Sequence, residues 1–179
     1  MKRLSRGPLV NPPSRSGHAV IKLAATVVLM FLLIGGIYYL LMQISGAVRC
    51  GEQLRRIFQA LELYEMTHGA LPRLAFFPDE PMTDADSLRV VLEAYGLDSE
   101  VWICPSSHPA IAQTGMSYVW NTRLNGRNLR DLAERQWMLV EINALSPDVP
   151  TPHLGYYNVL YTDGKVERIR DPLSKLRGL

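Results

Sequence analysis

The chain contains 179 residues, of which 47% are apolar and 20% charged, and its formal net charge is +2. This length excludes a large multidomain enzyme, since one domain takes roughly 100–200 residues, and the apolar fraction excludes a disordered chain. The charge is divided unevenly. All 17 acids lie from Glu52 onward together with 13 of the 19 bases, whereas the six bases before Glu52 have no acid among them. This asymmetry favours a membrane protein with a basic cytoplasmic end over a nucleic-acid-binding protein.

The first part of the chain predicts a membrane anchor. Residues 1–17 are rich in Pro, Gly, Ser and Arg and are expected to form a flexible cytoplasmic tail. Residues 18–48 are expected to form a transmembrane helix, because no charge occurs from Leu23 to Val48 and about 20 apolar residues cross a bilayer. The bases before Leu23 place the N-terminus inside. The alternative is a removed signal peptide, cleaved near Ser45-Gly46-Ala47.

Residues 49–69 predict an amphipathic continuation of the same helix. One apolar stripe recurs at helical spacing, and the charged residues lie mostly off it. Gly69 and Pro72 are expected to end the helix, because glycine adopts the left-handed cap conformation and proline cannot continue a helix. The stripe consists of Leu54, Ile57, Phe58, Leu61 and Tyr64.

Residues 70–179 predict a small α+β domain outside the cytoplasm. A helix is expected from Leu88 to Tyr95, with its N-cap chemistry around Thr83, and short helical turns are expected within 129–134. Strands are expected at 117–121, 137–142, 156–161 and 166–169, and the apolar run 101–105 suits a strand end. Asp163-Gly164 is typical of a hairpin turn. The predicted fold is one long N-terminal helix packed on a small antiparallel sheet.

Three motifs occur in a characteristic order along residues 20–169. Cys50 is followed by the apolar helix positions up to Tyr64 and by Gly69-x-x-Pro72. Cys104-Pro105-Ser106 precedes Ser117-Tyr118-Val119-Trp120-Asn121, and nine residues separate His153 from Asp163-Gly164. Together they resemble the type IV pilins and type II secretion pseudopilins of the prepilin-type H-X9-DG family. The resemblance implies a pilin-like fold and a structural motif formed by His153, Asp163 and Gly164.

One departure concerns the prepilin peptidase site that this resemblance implies. Family members carry a glycine, an aromatic residue, and a glutamate at the fifth position of the mature chain. Here Gly17 is followed by His18, and the fifth residue is Lys22. A lysine there repels the neighbouring subunit's new N-terminal amine instead of pairing with it. We therefore expect a minor or permanently anchored relative, not the main subunit of a fibre.

The two cysteines, Cys50 and Cys104, are both expected outside the cytoplasm, where a disulfide can form. Their bridging is one possibility, and two unrelated small apolar residues are the other. His153 and Asp163 are expected at opposite ends of one strand, because an extended stretch of ten residues spans up to about 30 Å. We therefore predict separate roles for them: Asp163 shapes the turn, and His153 bonds to backbone or a neighbouring loop.

No metal site, cofactor or catalytic residue is predicted. A calcium loop at Asp79-Glu80 or Asp84-Asp86 is the weaker alternative, since calcium takes six or more oxygens and helix capping accounts for the second pair. A nucleophile elbow, a phosphate loop and a dinucleotide fingerprint are all absent from the sequence, so the protein is expected to be non-enzymatic.

The function expected from these features is structural. The resemblance implies a membrane-anchored subunit or minor component of a type II secretion or type IV pilus-like apparatus, in the bacterial inner membrane with its domain extracytoplasmic. Its partners would be the lipid bilayer and other pilin-like subunits or secretion-apparatus membrane proteins, with no nucleic acid. The alternative is a solitary, single-pass anchored binding module that never enters a fibre.

Overall fold

The computed structural model describes residues 15–146 and 149–171, with side chains in the first helix from residue 19 onward. The first helix, α1, spans Arg15–His68. It belongs to two units: residues up to Leu40 form one, and residues from Leu41 form the other. The predicted tail at residues 1–14 lies outside the described residues.

The first unit consists of the apolar part of α1. Every side chain from Ala19 to Met42 is exposed. An 18-residue window in this helix has a mean hydropathy of 2.5 with none of it buried. By length and composition the helix is therefore able to cross a membrane, near the N-terminus.

The second unit is an α+β domain, which confirms the predicted fold class. Its sheet contains β1 (Tyr118–Trp120), β2 (Trp137–Glu141), β3 (Tyr157–Tyr161) and β4 (Val166–Ile169). Neighbouring strands are antiparallel in the order β1-β2-β3-β4. Two short helices, α2 (Leu88–Leu92) and α3 (Pro109–Gln113), and several 3-10 turns complete the domain.

The C-terminal half of α1 supplies one wall of the core. Its apolar stripe packs with Leu139 of β2 and Leu160 of β3 in one cluster, and Leu54, Ile57 and Leu61 have no exposed surface. Burial against the domain begins earlier, at Gly46 and Ala47. The last residues of the predicted membrane segment 18–48 therefore already contact the domain.

The ends of α1 and of the β3–β4 hairpin form as predicted. Gly69 has φ +81°, and its N–H donates to the Glu65 carbonyl at 2.7 Å, which closes α1. In the hairpin only Gly164 uses a positive φ, +74°. Its N–H donates to the carbonyl of Tyr161 at 2.9 Å.

Two local predictions were wrong. Residues Ser99–Trp102 form a 3-10 turn instead of leading into a strand end at 101–105. The helix α2 takes Ser87, not a residue near Thr83, as its N-cap. The Ser87 hydroxyl donates to the Pro81 carbonyl at 2.6 Å, so it bonds to the loop six residues before it and not to the N–H groups of the helix.

Candidate functional site: a buried cluster of two cysteines, a glutamate and a histidine

Four buried side chains from four separate segments converge between α1 and the sheet. Their ligand-type atoms, the sulfurs of Cys50 and Cys104, a carboxylate oxygen of Glu141 and a ring nitrogen of His153, all lie within 4.8 Å of one another. Each residue is at most 1% exposed. We refer to these four residues as the CCEH cluster.

The helix positions Cys50 by its periodicity. Cys50 precedes Leu54 by four residues and Ile57 by seven, so all three lie on the same face of α1. That face is buried against the sheet, and the cysteine has no exposed surface. Cys50 is thus the first residue of the apolar stripe, and its thiol points to the interior for the same reason as the leucines.

Cys104 is held in the loop after the 3-10 turn Ser99–Trp102. Its N–H donates to the hydroxyl oxygen of Ser117 at 3.1 Å, and its carbonyl accepts from the N–H of Ser107 at 2.9 Å. The Ser117 hydroxyl, just before β1, thus fixes the backbone of the Cys-Pro-Ser-Ser stretch at Cys104.

Glu141 is the last residue of β2 and is paired with Tyr118 of β1. Side chains two residues apart in a strand share a face, so Glu141 lies on the same side of the sheet as Leu139, which packs against α1. Its Oε2 accepts the backbone N–H of Asn158 at 2.9 Å. A carboxylate is thereby placed inside the core, with one oxygen held by β3.

His153 precedes a tight turn that leads into β3. The N–H of Tyr156 donates to the His153 carbonyl at 3.1 Å, and the two residues form an isolated bridge. Leu154 and Gly155 between them have φ +53° and +83°. A leucine in this region is strained, and the turn it makes directs the imidazole into the core.

The contacts within the CCEH cluster are short. His153 Nε2 lies 2.7 Å from Glu141 Oε1 and 3.3 Å from the sulfur of Cys104. The Cys50 thiol donates to Glu141 Oε1 at 2.9 Å and lies 3.4 Å from the hydroxyl of Tyr118. Among the described residues, His153 Nδ1 has no hydrogen-bond partner.

The surroundings move the proton affinities of these groups apart. Burial, aided by Cys104 and the charge of Glu141, raises the pKa of the Cys50 thiol well above its usual value. The hydrogen bond with Cys50 and, after it, the hydrogen bond with His153 lower the pKa of Cys104 to about 7 against the opposing effect of burial. Burial acts to lower the pKa of His153, but its bonds to Cys104 and Glu141 outweigh this and raise it to about 9.

A second layer of polar groups surrounds the cluster. The Tyr118 hydroxyl donates to Gln53 on α1 at 3.1 Å, and Gln53 in turn donates to the carbonyl of Glu100 at 2.7 Å. The side chain of Asn158 donates to the carbonyl of Ala47 at 3.3 Å. These bonds join α1 to three other segments around the same buried site.

The residues of the H-X9-DG motif are not brought together. His153 is buried in the CCEH cluster, whereas Asp163 lies in the hairpin turn, where it pairs with Arg135 at 3.1 Å and Lys165 at 3.6 Å. Its Oδ1 accepts the N–H of Lys165 at 3.1 Å, as expected of a residue that shapes the turn. His153 bonds to Cys104 in a neighbouring loop, as predicted, and also to Glu141 of β2, which was not predicted.

The structure does bring Cys50 and Cys104 together, as a disulfide would require, and both are free thiols. Their bridging in the native protein stays a prediction. The predicted processing residues Gly17 and His18 fall within α1, but their side chains lie outside the described residues. Among the described residues, no cluster of three or more ligand side chains includes the acids proposed for a calcium loop. These acids are Asp79, Glu80, Asp84 and Asp86.

Sequence reasoning missed Glu141 entirely. The available signal was an acid at the end of the apolar run Trp137–Val140, a position that pairs inside a sheet. The prediction of no metal site considered His153 with Asp163 and not with the cysteines. All four CCEH side chains are of types that ligate transition metals.

Comparison with known proteins gives no relative for this chain: no family model, no curated protein and no solved structure matches it.

Proposed function

We propose that the protein is a membrane-anchored, pilin-like subunit or minor component of a type II secretion or type IV pilus-like apparatus, and that it acts by helix packing rather than catalysis. The observation that carries this proposal is the division of α1. Its side chains from Ala19 to Met42 are all exposed and mostly apolar, while its later stripe is buried in the domain. Such a helix requires lipid or other helices around its first half.

The packing at Gly46 and Ala47 supports an uncleaved anchor over a removed signal peptide. A Cβ added at Gly46 would lie 2.3 Å from the Ser106 hydroxyl, and the Ala47 carbonyl accepts from Asn158. Cleavage after Ala47 removes these contacts. It also leaves Cys50 in a first helical turn whose N–H groups have lost their carbonyl partners.

The alternative function is a solitary, single-pass envelope module. Lys22 favours it, because a cation replaces the glutamate expected at the fifth position after Gly17. The two functions differ in whether the N-terminal tail is removed and in whether the exposed part of α1 meets other proteins.

The first test is the intact mass and N-terminal sequence of the protein from its native membrane. A chain that starts at His18 supports processing and the apparatus. A full-length chain supports the solitary module, and a start near Arg49 contradicts both, because the anchor would be absent.

The second test is site-specific photocrosslinking in intact membranes from Leu32, which is 69% exposed in the first half of α1. The apparatus predicts crosslinks to further copies or to other single-span proteins. Met66, 78% exposed at the end of α1, is the matched control. It lies outside the apolar first half of the helix, so it should not crosslink to the membrane-spanning helices of other proteins. Crosslinks from Leu32 to lipid alone would contradict the assembly.

A further inference from the structure

We propose that Cys50, Cys104, Glu141 and His153 bind one Zn²⁺ ion in a closed, four-coordinate site that fastens α1 to the sheet. This inference concerns the domain alone and holds whether or not the protein enters an apparatus. It goes beyond the sequence prediction, which contained no metal site. Four protein ligands leave no open coordination position, so the role we assign to the ion is structural.

The four ligand atoms lie near enough to one another for a tetrahedral site, after a small adjustment. With zinc–ligand bonds of about 2.0–2.3 Å, the ligand atoms of a tetrahedron are about 3.3–3.8 Å apart. All four CCEH ligand atoms lie within 4.8 Å of one another, and the Cys104–His153 contact is 3.3 Å. The Glu141–His153 and Cys50–Glu141 contacts, 2.7 and 2.9 Å, have hydrogen-bond lengths. A metal that replaces the shared protons needs these pairs to separate by about half an ångström.

The ligand types select zinc over calcium or magnesium. Thiolate and imidazole ligands suit zinc, whereas calcium and magnesium take oxygen ligands. Two thiolates, one carboxylate and a neutral imidazole carry three negative charges, the same ligand charge as the Cys3His set of structural zinc sites. On binding, Zn²⁺ replaces the protons of both thiols and any second proton on the imidazole, and these protons go to solvent.

Glu141 and Cys104 also have supporting bonds of the kind found around metal sites, whereas the second ring nitrogen of His153, Nδ1, has no partner among the described residues. Glu141 offers Oε1 to the site, while its Oε2 is held by the N–H of Asn158 at 2.9 Å. Cys104 is held through its N–H by Ser117. The Tyr118 hydroxyl lies 3.4 Å from the sulfur of Cys50 but donates its proton to Gln53. Such outer bonds orient ligands and sustain metal affinity.

A buried metal also gives a reason for the burial of Glu141 and His153, which a disulfide between the two cysteines does not. A Cys50–Cys104 bridge would use two of the four side chains and leave Glu141 and His153 as an isolated pair in the core. Burying such a pair costs desolvation free energy that its attraction repays only in part. A zinc ion uses all four side chains at once.

The test uses the full-length protein, extracted in detergent from its native membrane without added reductant or chelator. We expect about one zinc per chain by elemental analysis, and we expect both thiols to be reduced and to react with an alkylating agent only after chelation or unfolding. A Cys50–Cys104 disulfide in this protein, or a protein that retains no zinc after incubation with excess Zn²⁺ and gel filtration, would overturn the proposal.

Cobalt substitution supplies a readout that depends on the ligands themselves. Co²⁺ added to the metal-free protein should give the visible bands of a tetrahedral ion and a thiolate charge-transfer band. The latter should fall about twofold in Cys50→Ser or Cys104→Ser, because one of two thiolates is lost. His68→Asn, at an exposed histidine outside the cluster, is the matched control and should leave both bands unchanged. If the cysteine variants fail to fold, the wild-type spectrum decides: a spectrum without a thiolate band overturns the site.

Discussion

Gly164 shows how a single residue in the hairpin turn depends on the helix behind it. Its φ is +74°, and a Cβ built there would lie 2.7 Å from the ring of Phe58 on α1. The turn therefore requires glycine at position 164 for two reasons: the positive φ of its backbone and the close approach of α1. Gly155 requires it for the backbone alone, since its φ is +83° and no atom lies within 4 Å of a Cβ built there.

We expect Gly164→Ala to lower the free energy of unfolding more than Gly155→Ala. The backbone contribution is common to both, at about 1–2 kcal/mol, and the difference between the variants reports the displacement of the Phe58 ring. Urea unfolding monitored by circular dichroism measures both. Equal losses would mean that the turn does not press against α1.

Asp163 makes the domain sensitive to acid. Burial acts to raise its pKa, but the N–H of Lys165 and the guanidinium of Arg135 outweigh this and hold the pKa below its ordinary value of 3.8. A depressed carboxyl pKa contributes stability that is present above the unfolded value and is lost as the pH falls through the folded value. The window in question therefore lies below about pH 4.

We expect Asp163→Asn to be less stable than the wild type at pH 7 and equally stable well below the carboxyl pKa. The asparagine keeps an oxygen for the N–H of Lys165 and removes only the charge that Arg135 and Lys165 meet. Unfolding at pH 7 and at acid pH compares the two proteins. A difference that persists unchanged in acid would assign the effect to shape and not to charge.

At the scale of the element, α1 contributes to the domain through one face. Leu54 is fully buried on that face, and Leu63 is 50% exposed on another. We expect Leu54→Ala to lower the free energy of unfolding by about 2–5 kcal/mol. Leu63→Ala should change it by less than about 0.5 kcal/mol. Thermal unfolding of both variants checks this, and similar losses would contradict the assignment of the buried face.

How far the sequence predicts each element depends on whether its signal is local. The stripe Leu54, Ile57 and Leu61, the cap at Gly69 and the hairpin at Gly164 follow from periodicity and turn chemistry within a few residues. The 3-10 turn Ser99–Trp102 does not, because an apolar run looks alike in a strand end and in a buried turn. Ser87, directly before the apolar residue Leu88, has the residue type and position of an N-cap, so the local rule was sufficient there and Thr83 was the wrong choice.

Within the CCEH cluster, too, one residue follows from a local signal and the others depend on contacts between distant segments. The inward direction of Cys50 follows from its place four residues before Leu54 on one helix. The meeting of Cys50 with Glu141 and His153 depends on strand pairing and on the turn at Leu154, which are properties of the folded domain. A buried acid is also uncommon, so the position of Glu141 at the end of an apolar run is only a weak signal for a place in the core.

At the scale of the whole molecule, the exposed half of α1 is long and apolar enough to cross a membrane. Leu32 is 69% exposed in its middle. We expect Leu32→Arg to weaken retention in the membrane, since an arginine at the centre of a span costs about 2.5–3.5 kcal/mol on insertion scales. Alkaline carbonate extraction measures the released fraction. Leu63→Arg, exposed in the later half of α1, is the control and should remain in the membrane pellet. Release of both or of neither would contradict an anchor in the first half.

The four CCEH ligands also impose an order on biogenesis. Of the four ligands, Cys50 leaves the ribosome first and His153 last, with Cys104 and Glu141 between them. The set is therefore incomplete until the chain has been made as far as His153 and, if the domain is exported, threaded through the translocation channel. Zinc loading is then a final step that takes place in the compartment where the domain folds. Until that step, Cys50 waits as a lone thiol beside the membrane, open to oxidation or to a wrong partner.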